Sequence, residues 1–300
     1  MRRAILLYNP QAGKGKIERN IAHVVNIFNS VECDITPVPI QFGRNPFDGR
    51  EDVDLAVVAG GDGTINYVVN SLMSKGLKTA LAVIPAGTAN DFAGAIGMSQ
   101  DVVKAARQIV TGVVEQIDCG KVEHIDKEGE EALYFVNIFS FGIFTTTSQR
   151  TPEELKHRIG RMAYAVAALK ELRRFHGIPL TITTDAEVFY YPTLMGLVFN
   201  GETAGRVPLA RRSNLRDGVF DCLFLKKRDT LLQSAVALLL HMMGIRTRAL
   251  KYIKTSQLKL VTPLNEETDV DGQRGGSFPM KVSCLHGALN IVCPREGDIV

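Results

Sequence analysis

Between residues 53 and 74 the sequence passes from an apolar strand pattern through a glycine-rich loop to a helical pattern, and few folds accommodate that order. Val53–Ala59 ends at two glycines, and Thr64–Ser74 has helical spacing. Apolar runs of this length are typical of strands buried on both faces of a parallel sheet. Strands that alternate with helices predict a doubly wound α/β domain, which we place over residues 1–120. Its other predicted elements are strands at Ala4–Tyr8 and Ala80–Ile84 and helices at Lys16–Phe28 and Gln100–Val110.

After residue 120 the pattern changes to short β-rich runs separated by turn residues, which predicts an antiparallel β-sandwich domain over residues 121–300. The fold class is therefore α/β plus β, and a return of the last few residues to the first domain stays open. Two inserted helices are expected, one around Leu155–Leu169 and one at Leu231–Met243, which is apolar nearly all round and expected to be buried. The predicted strands are Leu133–Ile138, Leu180–Thr184, Leu194–Phe199, Val219–Leu225, Leu258–Val261, Met280–Cys284 and Ala288–Val292.

Composition excludes several classes of protein. With 45% hydrophobic and 22% charged residues the chain is expected to fold rather than stay disordered. Five cysteines without a Cys-x-x-Cys pair argue against a disulfide framework or zinc site and favour a reducing cytosol. The apolar run near the N-terminus is too short for a secretory signal. The longest uncharged stretch, Thr230–Ile245, falls short of the roughly 20 residues that span a bilayer.

Charge is distributed unevenly along the chain. Residues 1–120 hold 11 Lys and Arg against 12 Asp and Glu, whereas residues 150–259 hold 19 against 9. A basic segment of this kind suits anionic lipid headgroups or nucleic acid, and an ordinary solvated surface is an equally open interpretation.

The glycine-rich loop carries the strongest chemical signal. Gly60, Gly61, Asp62, Gly63 and Thr64 stand between a strand and a helix. Glycine lets the backbone approach a phosphate closely, and the helix N-terminus directs N–H groups toward it. Because a carboxylate would repel phosphate, its presence predicts a bridging cation such as Mg²⁺. The alternative is a tight turn with a charged tip.

Two further loops follow predicted strands and should meet the first at the same sheet edge. The segment after the first strand is rich in glycine and lysine, but it lacks the Gly-Lys-Ser/Thr ending of a Walker A loop. The segment after the strand at Ala80–Ile84 offers a hydroxyl, an amide and a carboxylate. Their candidate nucleotide-binding residues are Asn9, Pro10, Gln11, Ala12, Gly13 and Lys16 in the one, and Gly87, Thr88, Asn90 and Asp91 in the other.

On these loops the sequence resembles the diacylglycerol kinase catalytic-domain family, lipid kinases that include sphingosine kinases and bacterial relatives. The resemblance covers nearly the whole chain, although the Gly-Gly-Asp-Gly-Thr motif alone also occurs in NAD kinases and phosphofructokinase-like enzymes. The later matching segments are Asn137–Gly142, Gly160 with Tyr164, Asn200-Gly201, Asn214–Asp221 and Asp271-Gly272.

The resemblance implies that ATP lies in a cleft between the two domains. It adds Asn66 and Tyr67 to the residues that would line the nucleotide. It also implies a structural Mg²⁺ held by Asn214, Asp217 and the carbonyl of Val219, although an Asp-Gly hairpin turn is an open alternative for Asp217.

Two departures from the family pattern matter. Relatives usually carry Glu after the Asp-Gly pair, as the proposed base for the substrate hydroxyl, whereas this chain has Gln273. An amide cannot accept that proton, so Asp271 becomes the substitute candidate, with Asp62 and Asp91 behind it. The stretch Pro37–Asp52 is also too short for the helix that usually precedes the Gly60 strand, so one expected nucleotide contact cannot be placed.

These observations predict an ATP-dependent kinase that phosphorylates a lipid hydroxyl, diacylglycerol or a relative, from the cytoplasm at the membrane surface. Nucleic acid is not an expected partner, and a homodimer stays open. The rival hypotheses are a NAD-kinase-like enzyme with a non-lipid acceptor, and a nucleotide- or lipid-binding relative that is impaired by Gln273.

Overall fold

The computed structural model describes residues 2–127, 129–143, 177–204, 207–210, 213–227, 231–245, 247–295 and 297. The N-terminal strands are β1 (Arg2–Tyr8), β2 (Cys33–Pro39), β3 (Leu55–Gly60) and β4 (Ala80–Pro85). The described helices are α1 (Ile21–Asn29), α2 (Asp62–Ser74), α3 (Asp91–Ala95), α4 (Val102–Thr111) and α5 (Leu231–Met242).

The remaining strands cross between the two domains or lie in the second. They are β5 (Val113–His124), β6 (Leu133–Phe135), β7 (Ile138–Gly142), β8 (Ile178–Thr184), β9 (Val188–Phe199), β10 (Thr203–Ala204), β11 (Val207–Pro208), β12 (Phe220–Lys226), β13 (Leu250–Thr255), β14 (Gln257–Val261), β15 (Glu267–Val270), β16 (Gln273–Ser277) and β17 (Met280–Cys293).

The first domain is the predicted parallel sheet, with strand order β2-β1-β3-β4. The strand β2 was not predicted, because Pro37 and Pro39 obscure its alternating burial. Proline is tolerated there since β2 lies at the edge of the sheet. The helix predicted at Lys16–Phe28 is shorter than expected: two 3₁₀ turns, Ala12–Gly15 and Glu18–Asn20, precede α1.

Two long strands join the domains. The strands β5 and β17 pair antiparallel over most of their length, and Ile291 of β17 also lies opposite Leu81 of the parallel sheet. Leu289 and Cys293 pack in the core of the first domain. The two strands that the sequence predicted at residues 280–284 and 288–292 are thus one strand with an irregularity after Leu285.

The second domain is antiparallel, as predicted, around an aromatic core. Phe135 and Phe220 stack with ring centroids 5.3 Å apart, and Phe141 meets Phe278 edge to face at 5.2 Å. The strands β5, β13, β15 and β16 were not predicted. Low apolar content explains the omission of β15 and β16.

The helix α5 agrees with the predicted element, but its burial does not. Ala237 is buried, whereas Val236 is 43% exposed and Met243, just beyond the helix, is 66% exposed. The helix predicted around Leu155–Leu169 lies outside the described residues. None of the described helices is both long enough and apolar enough to cross a bilayer.

Candidate active site

The three glycine-containing loops meet backbone to backbone at the carboxyl ends of β1, β3 and β4. Gly13 has a φ of +57°, and a Cβ atom there would lie 2.5 Å from the carbonyl oxygen of Ala86. A Cβ at Gly87 would lie 2.4 Å from the Cα of Gly61. Only glycine fits at these contacts, so the glycines predicted from the sequence are what allow the loops to converge.

The helix α2 begins inside this convergence, with Gly61 as its extended N-cap residue. The side chain of Asn9 approaches from the first loop, and its Nδ2 lies 3.4 Å from the Thr64 hydroxyl oxygen. The Asn9 Oδ1 also accepts a hydrogen bond from the Gln11 backbone N–H at 3.0 Å, which holds the first loop in a turn. Since the first-turn N–H groups of a helix lack intrahelical acceptors, the α2 N-terminus is suited to bind phosphate oxygens.

Two polar side chains fix the third loop. Asn90, in the left-handed conformation with a φ of +52°, accepts a hydrogen bond from the Gly87 N–H at 2.9 Å and donates to Gln100 Oε1 at 2.7 Å. Lys16 Nζ donates to the backbone carbonyl of the same Gln100 at 2.8 Å. The first and third loops are therefore tied together beyond their backbone contacts. Thr88 lies in the same loop, between these anchors.

Two carboxylates stand next to each other at the loop junction. Asp62 Oδ1 accepts a hydrogen bond from the Phe92 N–H at 3.2 Å, and Asp91 Oδ1 accepts one from the Thr203 hydroxyl at 2.9 Å. Burial raises the pKa of Asp62, and the charge of Asp91 raises it further. Adjacent carboxylates beside a phosphate-binding loop fit a hard divalent cation, which would relieve this repulsion.

The carboxylate of Asp271 joins α2 to the second domain. Its Oδ1 accepts from the N–H groups of Asn137 at 3.1 Å and Ile138 at 2.8 Å. Its Oδ2 accepts from the Val136 N–H at 2.8 Å and from Asn66 Nδ2 at 3.0 Å. A carboxylate has about four lone-pair sites, and all are filled here. Burial raises the pKa of Asp271 to about 6, against the opposing effect of these hydrogen bonds.

Gln273 also reaches the glycine-rich loop, since its Nε2 donates to the carbonyl oxygen of Gly63 at 3.2 Å. Tyr67 points to the side, where its hydroxyl donates to the Arg44 carbonyl at 2.7 Å and its ring meets Phe42 at 5.0 Å. A small pocket between the domains is lined by Asn66, Tyr67, Asn70, Leu133, Gln273 and Arg274.

The residues predicted to hold a structural Mg²⁺ are turned to other partners. Asp217 Oδ1 accepts from the Val219 N–H at 3.3 Å, and its Oδ2 lies 3.3 Å from Lys254 Nζ. Asn214 Oδ1 accepts from the Arg216 N–H at 3.1 Å. Lys254 Nζ therefore supplies a positive charge of the protein itself beside Asp217, and the Mg²⁺ site at these residues stays a prediction. Within the described ranges, no group of three His, Cys, Asp or Glu residues is placed to hold a metal.

Sequence reasoning missed several polar residues that organise the cleft. Asn70 exchanges two hydrogen bonds with the backbone of Tyr134, at 2.8 and 2.9 Å. Asp118 is fully buried and accepts from the Gly218 N–H at 2.7 Å. A signal existed for Asp118 alone, because this charged residue stands directly between the apolar residues Ile117 and Cys119.

Comparison with known proteins agrees with this geometry. Residues 3–122 match the family described as diacylglycerol kinase catalytic domain, and residues 138–293 match the YegS C-terminal NAD kinase beta sandwich-like domain. The chain belongs to the diacylglycerol kinase family. It is 31% identical over 304 residues to the diacylglycerol kinase of Bacillus subtilis, covering 99% of this chain and 98% of that protein. It is also 28% identical over 310 residues to the diacylglycerol kinase of Staphylococcus aureus, covering 98% and 93%.

Solved structures share the fold. A putative diacylglycerol kinase from Bacillus anthracis superposes with a TM-score of 0.80 at 24% identity, covering 100% of this chain and 97% of that one. Yeast NADH kinase in complex with NADH gives a TM-score of 0.52 at 14% identity, covering 99% and 85%. The family resemblance and the fold class predicted from the sequence are confirmed, and membership of this family implies a kinase that uses ATP.

Proposed function

We propose that the protein transfers the γ-phosphoryl group of ATP to a hydroxyl group of diacylglycerol or a closely related lipid. The observation that carries this proposal is the junction where the three loops and the α2 N-terminus face Asp62, Asp91 and the Asp271–Gln273 segment of the second domain. The names of the curated relatives support the choice of lipid.

The nucleotide phosphates bind against the N-terminus of α2 and the backbone of the glycine loops. These groups supply N–H donors without a side chain that must be ordered, which favours tight positioning of the phosphates. Mg²⁺ would be held by Asp62 and Asp91 and would neutralise phosphate charge. Asn9, Thr64 and Asn90 keep the loops in the geometry that the phosphates require.

In the transfer step the lipid hydroxyl oxygen forms a bond to the γ-phosphorus, the bond to the β–γ bridging oxygen breaks, and ADP leaves. The hydroxyl proton leaves late, to solvent or to a phosphoryl oxygen, because the transition state is loose and needs little nucleophile activation. We assign Asp271 a positioning role rather than the role of base, since its four lone-pair sites are filled. Gln273 spaces the second domain against Gly63.

Access to a lipid requires contact with a membrane surface. The excess of Lys and Arg over residues 150–259 would attract anionic headgroups. Within the same segment, Met243 and Ile245, just beyond the end of α5, are 66% and 47% exposed, which provides apolar side chains for the interfacial region. Together these features favour peripheral binding to anionic bilayers.

The test is a side-by-side acceptor assay with γ-labelled ATP and Mg²⁺. Diacylglycerol in anionic vesicles, diacylglycerol in neutral vesicles and NAD are offered to the wild type and to Asp62→Asn. We expect labelled lipid with anionic vesicles, less with neutral ones, and none from the variant. Labelled NADP alone would replace this proposal with the NAD kinase alternative. Nucleotide binding without turnover of any acceptor would identify a binding protein.

A further inference from the structure

A buried carboxylate lies on the second domain, outside the ATP loops. Asp221, in β12, has a fully buried side chain. The register of β12 and β13 places Lys254 directly opposite it, and Lys254 Nζ lies 3.3 Å from Asp221 Oδ2. The Tyr252 hydroxyl donates a hydrogen bond to the other oxygen, Asp221 Oδ1.

The same ammonium reaches a second carboxylate. Lys254 Nζ lies 3.3 Å from Asp217 Oδ2, in the turn that leads into β12. An ammonium group between two carboxylates neutralises their negative charges, as a divalent metal would in such a turn. Without it, two negative charges would lie close together with no countercharge.

We propose that Lys254 is a built-in structural cation that replaces a divalent metal at the turn Asn214–Val219. The side-chain oxygens that a metal would need are already directed to the Lys254 ammonium and to backbone N–H groups within the turn. Strand register explains why a lysine at this position can reach the turn, since the β12–β13 pairing holds the backbone of Lys254 opposite Asp221. This inference does not depend on the identity of the acceptor.

The turn matters because it is connected to the cleft. The Gly218 N–H donates to Asp118 Oδ2 at 2.7 Å, and the Asn200 side chain donates to the carbonyl oxygens of Asp118 and Val136 at 2.9 and 3.0 Å. Val136 is one of the residues whose N–H is held by Asp271. Lys254 therefore anchors one end of a polar chain that ends at the glycine-loop helix.

The experiment is thermal unfolding without nucleotide, in EDTA and in millimolar Mg²⁺. The variants are Lys254→Met, Lys254→Arg and Asp217→Asn, with Lys251→Met as the matched control on the same strand, where the ion pair is to the exposed Glu187. We expect Lys254→Met to melt about 5–10 °C below the wild type, since removing one partner leaves a buried charge. Lys254→Arg should retain most of the melting temperature, and Lys251→Met should change little.

The metal dependence decides the proposal even if Lys254→Met does not fold. We expect any Mg²⁺-induced rise in melting temperature to be the same in wild type and Asp217→Asn, because such a rise would come from the Asp62 site. A rise in wild type that Asp217→Asn abolishes would assign the turn to a metal and overturn the proposal. Equal melting temperatures for Lys254→Met and wild type would overturn it as well.

Discussion

Replacing Asp271 by Asn tests whether this carboxylate is a base or a structural link. The amide keeps an acceptor at one oxygen but turns an NH₂ group toward two donors, such as the Val136 N–H and Asn66 Nδ2. Loss of two hydrogen bonds to a charged group costs about 3–6 kcal/mol. Burial raises the pKa of Asp271 from 3.8 to about 6, so removing its charge recovers about 3 kcal/mol of the lost stability. The net destabilisation at neutral pH is about 0–3 kcal/mol.

The assay is thermal unfolding followed over pH, with Asp126→Asn as a control at an exposed carboxylate. A net loss of up to about 3 kcal/mol corresponds to a melting temperature lower by up to about 5 °C for a chain of 300 residues. Because the pKa of Asp271 is raised to about 6 in the folded protein, its contribution to stability is present below pH 3.8 and is lost as the pH rises through 6. The gap between wild type and variant should therefore narrow from acidic to neutral pH.

A catalytic role for Asp271 would give a different result. If Asp271 is the base, Asp271→Asn abolishes turnover while its melting temperature and pH dependence match those of the wild type. That outcome would refute the positioning role and restore the assignment made from the sequence. A lowered melting temperature with activity that recovers at lower assay temperature would support the structural link.

Three further predictions address the loops. Gly87→Ala should weaken nucleotide binding and destabilise the fold by about 1–3 kcal/mol, since its Cβ would lie 2.4 Å from the Gly61 Cα. The control is Gly94→Ala, whose Cβ would have no heavy atom within 4 Å, and both variants are compared by calorimetric titration and unfolding. Asp62→Asn should lose phosphoryl transfer and keep its melting temperature within a few degrees, because burial already raises the pKa of this carboxyl; normal turnover in the labelled-ATP assay would contradict its role. Gln273→Glu should leave kcat within about tenfold of the wild type, because a loose transition state needs little removal of the hydroxyl proton; a rise of about 10²-fold or more in the labelled-ATP assay would show that proton removal limits the rate and would contradict this mechanism.

The sequence was sufficient where a local pattern determines the structure. Apolar runs bounded by turn residues predict the strands β1, β3 and β4 and the helix α2. Their prediction needed no knowledge of the elements they pack against. The strand β16 could not be found this way, because Gly275 and Gly276 weaken its pattern and its pairing with β15 is set by the fold. The same limit applies to β2, where two prolines concealed an edge strand.

In the candidate site, too, features set by local sequence were predictable and features set by distant partners were not. The close approach of the loops was predictable, because glycines at strand ends allow backbones to come into contact. The environment of Asp271 was not, because its partners Asn66 and Ile138 lie 205 and 133 residues away in the chain. A carboxylate in a motif looks the same in sequence whether its lone pairs are vacant or filled, so only the folded structure distinguishes a base from a structural link.

The cleft is held by polar side chains that cross between the domains, and this explains why the departure at Gln273 is tolerable. Asp271 accepts a hydrogen bond from Asn66 in the first half of α2. Gln273 donates a hydrogen bond to Gly63, and Asp91 accepts one from Thr203. Each contact fixes the second domain against a phosphate-binding element. A loose phosphoryl transition state depends on such positioning more than on removal of a proton. An amide that preserves the spacing at Gly63 therefore retains the larger part of what this position contributes.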